Sequence, residues 1–351
     1  MNKLHVVAFQ EDKSRLDRMI QAAVSGLPHE SVHTSHVDNW KSKRLLIAVD
    51  VDIIGGNAPL YKWLRSLYTQ GDQPLHGAVA AILVNSTSAL YTKRVAQYTL
   101  YHLNRLGCRV IGHPLVEATG QLENFLTWQK TMDLSLEDIC MKMCGELGQR
   151  LQAYSVPSVD QPKILMLHAS ARETSNTLML WQLISKHLPG AEIEEYHIQD
   201  DQIAECKGCT FRTCMHFSDM RSCYYGGIMV DQILPAIEAA DAVVWICPNY
   251  NDAISAKLMA VINRLTVLYR RVSFKEKRLF SIIVSGNSGS DLLSTQLLGA
   301  LNINKGFMLP PDYAMMAIAN DPGSILEQAD IQERAAAFGQ QMMAEFHTNL
   351  E

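Results

Sequence analysis

The hydrophobic pattern of the chain alternates between short apolar runs and longer amphipathic segments. In the amino half, apolar runs predict strands at 4–9, 31–36, 44–50, 77–84 and 109–111. Amphipathic segments predict helices at 13–25, 59–68, 91–106 and 121–151. Strands and helices that alternate at these lengths indicate a parallel, doubly wound sheet.

The carboxyl half repeats this plan after a break at 152–162, where the periodicity is lost and two prolines favour a linker. Its predicted strands lie at 164–168, 192–198, 242–247, 279–285 and 306–309. Short sequence echoes, such as 81–86 with 281–286, favour an internal duplication. We therefore predict two tandem flavodoxin-like domains, at 1–155 and 156–351, each a five-stranded parallel sheet in an α/β/α sandwich. Two unrelated α/β domains are the alternative.

Composition narrows the class of protein. The 351 residues are 48% hydrophobic and 19% charged, which suits a globular protein of two domains. The net charge of −5 and the lack of lysine or arginine runs argue against nucleic acid or an anionic membrane as partner. No apolar stretch approaches the roughly 20 residues of a membrane span. Eight cysteines without an export signal favour a cytoplasmic protein.

The loop at 169–177 carries the first candidate chemistry. It follows the predicted strand 164–168, contains several hydroxyl and amide side chains, and leads into an apolar, helical segment at 178–184. Free backbone N–H groups and the positive end of a helix dipole converge at such a turn, which makes it an anion site. A phosphate is the expected ligand. The alternative is an ordinary polar turn between a strand and a helix.

This turn resembles the phosphate loop of NADPH-dependent FMN reductases and related iron–sulfur flavoproteins, which read G-S-x-R-x-x-S-N-T. The matching residues are Ser170, Arg172, Ser175, Asn176 and Thr177. Ala169 stands where the family usually has glycine. The resemblance implies that these residues bind the phosphate of FMN.

A second loop resembles the ring-binding segment of the same family, P-x-Y-x-G-x-x-S-x-x-L-K-x-x-x-D-R. Pro248, Tyr250, Ser255, Leu258 and Arg264 match, whereas Asp252, Met259 and Asn263 depart from the pattern. The resemblance implies ring contacts from Pro248, Asn249, Tyr250, Asn251 and Asp252. It also implies that a third loop closes over the flavin, with Ser285, Gly286, Asn287 and Gly289. If the Asp252 carboxylate pointed toward the ring, it would disfavour an anionic reduced flavin. The alternative for the second loop is a turn followed by a helix cap.

The amino half lacks both features. Its first loop carries Glu11 and Asp12, which would repel a phosphate, and its second, at 51–59, lacks the Pro-x-Tyr wall. We expect FMN only in the carboxyl domain. The amino domain is expected to be a flavin-free copy that packs like the second subunit of a reductase dimer, so that one chain forms a pseudo-dimer, with a homodimer also open.

Four cysteines lie in an insertion at 204–226. Cys206, Cys209, Cys214 and Cys223 follow C-x2-C-x4-C-x8-C, which resembles the cysteine segment of the iron–sulfur flavoproteins. The resemblance leaves a [4Fe–4S] cluster or a structural zinc open. The cluster-binding members have tighter gaps, so reduced cysteines beside the flavin pocket are the favoured interpretation. The remaining cysteines are expected in the core.

The resemblance implies an FMN-dependent NAD(P)H oxidoreductase. A hydride would pass from the nicotinamide of NADPH or NADH to flavin N5, and electrons would pass on to a quinone, a flavin, a nitro- or azo-aromatic or a redox protein. No side chain is expected to act as acid or base. One alternative is an electron carrier without a pyridine-nucleotide site, either flavodoxin-like or with an iron–sulfur cluster. The other is a flavin-free interaction protein.

Overall fold

The chain forms two compact units, Met1–Tyr154 and Ser155–Glu351. The computed structural model describes residues 3–10, 15–33, 39–170, 174–198 and 203–347. Each unit contains one five-stranded sheet whose paired strands all run parallel. Helices connect the strands, as parallel pairing requires.

The amino-terminal unit has the strand order β2-β1-β3-β4-β5. Its strands are β1 (Leu4–Phe9), β2 (His29–Ser31), β3 (Arg44–Val51), β4 (Val79–Ser86) and β5 (Arg109–Thr119). Its helices are α1 (Arg15–Val24), α2 (Ala58–Leu67), α3 (Thr92–Arg105), α4 (Leu126–Gln129) and α5 (Leu136–Gln152). A 3₁₀ turn, Glu123–Phe125, precedes α4.

The carboxyl-terminal unit has the order β10-β9-β8-β6-β7. Its strands are β6 (Lys163–His168), β7 (Glu192–His197), β8 (Ala242–Pro248), β9 (Arg278–Ser285) and β10 (Ala314–Ile318). Its helices are α6 (Asn176–Ser185), α7 (Phe211–Asp219), α8 (Leu234–Ala239), α9 (Ala256–Arg264), α10 (Thr266–Tyr269), α11 (Ser290–Leu297) and α12 (Ile331–His347). Shorter segments are the π-helical Met229–Ile233 and Leu298–Ile303 and the 3₁₀ turn Ser324–Glu327.

Both sheets have the same topology. Numbered within each unit, the strand order is 2-1-3-4-5, which is that of flavodoxin. Central strands β4 and β9 are buried along their whole length, as their Val-, Ile- and Leu-rich sequences indicate. The prediction of two tandem flavodoxin-like sandwiches is confirmed.

In each unit, the first and last long helices pack on one face of the sheet: α1 and α5 in the amino-terminal unit, α6 and α12 in the other. Helices α1 and α5 approach closely where α5 has a glycine. A Cβ placed on Gly148 would lie 1.7 Å from the carbonyl oxygen of Ala23 in α1. Because protein interiors are close-packed, this contact leaves no room for a side chain.

Two predicted elements are wrong. The single helix predicted at 121–151 is instead the 3₁₀ turn, α4 and α5, with Ser135 capping α5 through its side chain. The strand predicted at 306–309 makes only an isolated bridge between Met308 and Arg278. The ladder resumes at β10, because Pro310 and Pro311 have no N–H to donate.

Two other strands differ at their ends. The strand predicted at 31–36 begins earlier, at β2, and residues 34–38 lie outside the described residues. The strand predicted at 109–111 extends to Thr119 as β5, with a register shift in its pairing between Ala80 and Ile82 of β4. In the described part of the chain, no helix has the length and hydropathy that a membrane span requires.

Candidate functional site

The candidate site lies at the carboxyl edge of the second sheet. Strand β6 pairs with β7 on one side and with β8 on the other. The chain therefore moves from β6 to β7 in one direction along the sheet and then crosses back to β8, so that the strand order reverses at β6. Ligands of open parallel sheets bind outside the carboxyl ends of the strands at such a point. The three predicted loops follow β6, β8 and β9, and therefore meet at this edge.

The loop after β6 contains a buried hydroxyl group without a partner. Ser170 is 2% exposed, and its Oγ makes no hydrogen bond to any described residue. Ser175 caps α6, because its Oγ accepts from the backbone N–H of Leu178 at 3.3 Å, and lies 2.8 Å from Thr177 Oγ1. The predicted Arg172 lies outside the described residues. An unpaired buried hydroxyl beside a capped helix start fits an anionic ligand.

The side chain of Asn176 is used within the protein. Its Nδ2 donates to the carbonyl oxygens of Ala319 (3.3 Å) and Asp321 (2.9 Å). Its Oδ1 accepts from the backbone N–H groups of Gly323 (2.9 Å) and Ile325 (3.4 Å). The amide thus makes every hydrogen bond it can make, and only the backbone of Asn176 is left for the predicted phosphate contact.

The loop after β8 forms a tight turn with an exposed aromatic ring. Tyr250 and Ala253 form an antiparallel bridge, and the two residues between them, Asn251 (φ 54°) and Asp252 (φ 57°), are left-handed. Asparagine and aspartate tolerate this conformation better than other non-glycine residues. The two left-handed positions of this turn are therefore filled by residue types that accept them. Tyr250 is 56% exposed and could provide a flat wall for a ring.

The side chain of Asn249 joins the second and third loops. Its Nδ2 donates to Ser285 Oγ (3.0 Å), the carbonyl oxygen of Ser288 (3.0 Å) and Asp252 Oδ1 (3.1 Å). Its Oδ1 accepts from the backbone N–H of Asp252 at 2.8 Å. The carboxylate of Asp252 is thus held by Asn249. These hydrogen bonds join the second and third loops, and the ring contacts of Asn249 and Asp252 stay a prediction.

Replacing Asn249 with alanine should loosen both loops. We expect a loss of about 1–3 kcal/mol in the free energy of unfolding and about tenfold weaker FMN binding, because several hydrogen bonds are lost. Thermal unfolding and FMN fluorescence titration measure the two effects. Asn263→Ala is the control, since Asn263 is exposed on α9. Unchanged FMN affinity in Asn249→Ala would contradict this role.

The third loop is closely fitted to the second. Gly289 has a φ of 87° and caps α11, and a Cβ there would lie 2.2 Å from Asp252 Oδ1. Ser285 is buried, with its Oγ 2.6 Å from Ser290 Oγ. Gly286 and Asn287 are exposed. Glycine at 289 therefore suits both the positive φ and the close approach of the Asp252 side chain.

One further residue, Ser255, was matched in the motif but not predicted as a site residue. It occupies the N-cap position of α9, yet its side chain makes no capping bond. Its Oγ is buried and has no hydrogen-bond partner among the described residues. Pro248 is half-buried at the end of β8, next to Cys247, whose thiol pKa is raised to about 12 by burial. Cys247 is therefore a core residue, as predicted. The Ser255 Oγ is a buried polar group at the end of the second loop.

In the amino-terminal unit, an asparagine side chain lies between the ends of β1 and β3, the strands that correspond to β6 and β8. Asn57 caps α2 at the position equivalent to Ser255 and is 4% exposed. Its Nδ2 donates to the carbonyl oxygens of Phe9 (3.0 Å), at the end of β1, and Asp50 (2.8 Å), in β3. Asn57 thus bridges the two strands between which a ligand would bind. The predicted Glu11 and Asp12 lie outside the described residues.

The cysteine-rich insertion (204–226) is fastened to the domain by a buried arginine. Arg264 is 2% exposed and donates to the carbonyl oxygens of Ala204 (3.3 Å) and Gly226 (2.8 Å). Within the insertion, Cys209 lies 3.9 Å from the Tyr225 hydroxyl, and that contact contributes most to raising the pKa of Tyr225. Arg264 therefore fixes both ends of the insertion.

The four cysteines of the insertion do not fit a metal. Cys206 is exposed in the segment before α7, and Cys214 lies on α7. Cys209 and Cys223 are half-buried outside this helix. Among the described residues, no three Cys, His, Asp or Glu side chains are placed to hold an ion. The [4Fe–4S] and zinc interpretations therefore have no support in the arrangement of these thiols.

Sequence comparison agrees with this geometry. Residues 162–321 match the family model described as NADPH-dependent FMN reductase. This part of the carboxyl-terminal unit is thus similar to that family. The match covers all three loops of the candidate site. No curated protein sequence matches the chain significantly.

Solved structures with a similar fold include redox enzymes. The NAD(P)H:quinone oxidoreductase from Methanothermobacter marburgensis is 16% identical, with a TM-score of 0.41, over 52% of this chain and 96% of that one. An azoreductase from Bacillus anthracis str. Sterne is 13% identical (TM-score 0.39; 52% and 100% covered). An FMN-dependent NADH-azoreductase from Bacillus anthracis str. Ames Ancestor, in complex with FMN, is 12% identical (TM-score 0.36; 52% and 99% covered).

Proposed function

We propose that the carboxyl-terminal unit binds FMN at the carboxyl edge of its sheet and acts as an NAD(P)H-dependent oxidoreductase. The observation that carries this proposal is the buried Oγ of Ser170, at the start of the predicted phosphate loop, which has no hydrogen-bond partner among the described residues. A phosphate oxygen would satisfy it. The match of residues 162–321 to the NADPH-dependent FMN reductase family model supports the same conclusion. When bound, FMN supplies the chemistry by accepting a hydride from the nicotinamide and passing electrons on.

The residues of the chain bind and orient the cofactor. Ser170, Ser175 and Thr177 would hold the phosphate through their hydroxyl groups, together with the backbone N–H groups at the start of α6. The exposed ring of Tyr250 would provide the apolar wall that a planar ring system needs. Asn249 would fix the loops on either side of that ring. Arg172 remains a predicted phosphate ligand.

The amino-terminal unit is proposed to bind no flavin. Asn57 occupies the point between β1 and β3 at which an ester phosphate would enter, with both of its donors bonded to strand carbonyls. The equivalent Ser255 of the other unit makes no such bridge. The predicted pseudo-dimer arrangement, like a homodimer, stays a prediction.

The electron acceptor is proposed to be a quinone, a flavin, a nitro- or azo-aromatic or a redox protein. The exposed ring of Tyr250 in the second loop favours planar acceptors, which can stack on the flavin once the nicotinamide has left. No side chain is assigned a proton-transfer role, since hydride transfer to a flavin needs positioning above all.

An absorbance experiment tests this function. Purified protein is saturated with FMN, excess cofactor is removed, and NADPH or NADH is added without oxygen. We expect about one FMN per chain and bleaching of the flavin bands by at least one coenzyme, followed by recovery when a quinone is added. Failure to take up FMN would refute the proposal. Uptake without bleaching would support the electron-carrier alternative, and two FMN per chain would contradict the role of Asn57.

A further inference from the structure

Two neighbouring loops of the amino-terminal unit present aliphatic side chains to solvent. In the loop after β3, Ile53 is 85% exposed and Ile54 is 79% exposed. In the loop after β4, Leu90 is 60% exposed. The two loops touch, because a Cβ placed on Gly55 would lie 2.7 Å from the ring of Tyr91. Contiguous apolar side chains that are this exposed indicate an interaction surface.

The loop after β3 holds its isoleucines outward in a defined conformation. Asp52 Oδ1 accepts from the backbone N–H groups of Ile54 (2.9 Å) and Gly56 (2.7 Å). The backbone N–H of Gly55 donates to the carbonyl oxygen of Asp52 at 3.1 Å. Gly55 has a φ of 85°, a conformation that glycine adopts without strain. The loop is therefore organised before it meets a partner, which lowers the entropic cost of binding.

An aromatic stripe continues this surface along α2 and α3. The Tyr61 hydroxyl donates to the carbonyl oxygen of Gly55 at 3.5 Å, and the Tyr61 ring centre lies 5.4 Å from that of Tyr98. The ring centre of Tyr98 lies 4.3 Å from that of His102, and the Tyr68 hydroxyl lies 2.7 Å from His102 Nδ1. The rings meet edge to face, yet Tyr61, Tyr68 and Tyr98 are exposed. The stripe thus joins the aliphatic loops to the outer sides of both helices.

The charged side chains of α2 and α3 are all positive. Neither helix contains Asp or Glu, and the cations are Lys62, Arg65, Lys93, Arg94 and Arg105. All but Arg105 are exposed, and Lys93 lies 3.5 Å from Glu117 of β5. Together with the aromatic stripe, these cations form the α2–α3 face. The net charge of −5 argues against an anionic membrane for the chain as a whole, but it does not describe this face.

Aliphatic loops, tyrosines and cations are together the groups that an anionic lipid surface binds. Aliphatic side chains enter the acyl region, tyrosines lie among the head groups, and lysine and arginine attract anionic phosphates. A single-stranded nucleic acid would use the cations, but it offers no apolar region to the isoleucines and stacks on free aromatic faces. A protein interface would be poor in lysine. Lipid therefore accounts for all three features.

We propose that the amino-terminal unit docks on an anionic lipid surface. Ile53, Ile54 and Leu90 enter the boundary between head groups and acyl chains, and the α2–α3 face lies on the head groups. The contact is reversible and weakens with ionic strength, because salt screens exposed charges. It is independent of the proposed function, since it needs neither FMN nor a coenzyme.

Co-sedimentation of the full chain with vesicles tests the proposal. We expect at least about tenfold stronger binding to phosphatidylcholine vesicles that contain about 30% phosphatidylglycerol than to phosphatidylcholine alone, with the difference lost at high salt. Ile53→Ser/Ile54→Ser should lower the partition coefficient on the anionic vesicles by about 10- to 100-fold, because two aliphatic side chains no longer leave water. Lys62→Gln/Arg94→Gln should lower it by about tenfold and leave binding to the neutral vesicles unchanged.

Ile318→Ser/Leu326→Ser is the matched control, because these two aliphatic residues are also exposed but lie in the carboxyl-terminal unit. It should bind both kinds of vesicle like the wild type. Circular dichroism should show every variant folded, since each substituted side chain is exposed. Absence of wild-type binding to the anionic vesicles, or an equal loss in the control and in Ile53→Ser/Ile54→Ser, would overturn the proposal. Binding to a single-stranded oligonucleotide but to no vesicle would overturn it in favour of nucleic acid.

Discussion

Ser170→Ala is expected to weaken FMN binding by about 10- to 100-fold and to leave the FMN-free protein at least as stable as the wild type. The two effects have opposite causes. With FMN bound, the hydroxyl group would donate to a charged phosphate oxygen, a bond worth roughly 1.5–3 kcal/mol. Without FMN, the Oγ is buried and bonds to none of the described residues, so its removal relieves a desolvation cost. FMN titration and thermal unfolding of the FMN-free protein measure the two quantities.

The matched control for this prediction is Ser281→Ala. Ser281, in β9 of the same unit, is also buried, but its Oγ donates to the carbonyl oxygen of Trp245 at 2.9 Å. We expect this control to lower stability by about 1 kcal/mol and to leave FMN affinity unchanged. If Ser170→Ala also destabilised the FMN-free protein and bound FMN normally, Ser170 would be a structural residue and the phosphate assignment would fail.

Gly148→Ala is expected to cost about 3 kcal/mol in the unfolding of the amino-terminal unit. The added methyl group would fall 1.7 Å from the backbone oxygen of Ala23, so α1 and α5 would have to separate. Overpacking of this kind destabilises even though alanine is the better helix former. Chemical denaturation followed by circular dichroism measures the loss.

Gly145, one turn earlier in α5, provides the comparison. A Cβ at Gly145 would lie 3.4 Å from the carbonyl oxygen of Ala22, an ordinary contact distance. Gly145→Ala should therefore stabilise α5 by up to about 1 kcal/mol through helix propensity alone. If both variants behaved alike, the close approach of α1 and α5 at Gly148 would be wrong.

Most of the fold could be predicted from the sequence, because parallel strands that are buried on both faces form continuous apolar runs. Strand β6 and the turn after it are examples, since an apolar run, small polar residues and a helix cap follow each other directly. The hydrophobic pattern alone predicts the last strand at 306–309, whereas β10 is Ala314–Ile318. The apolar residues at 306–309 are buried but precede two prolines, and the strand itself needs N–H donors that first become available beyond them.

The candidate site was predicted less completely than the fold. Residue type indicates that Asn176 and Asn249 lie in the ligand-binding loops, but it does not indicate what their amides bond to. The partners of Asn176 are more than 140 residues away in the chain. Such contacts depend on where β10 ends, which the hydrophobic pattern does not specify. The resemblance located the loops. Only the three-dimensional arrangement shows that the Ser170 hydroxyl bonds to none of the described residues, whereas the Asn176 amide is bonded within the protein.

The segment just before β6 decides where the carboxyl-terminal unit can be cut out as a separate fragment. Arg278 is 1% exposed, and its guanidinium donates to the carbonyl oxygens of Pro157 (2.7 Å) and Glu345 (3.0 Å). Val159 donates to the carbonyl oxygen of Phe346 at 2.9 Å. A truncation cut at residue 162, where homology begins, would discard two of these anchors and expose the end of α12. An expression boundary at Ser155 keeps them.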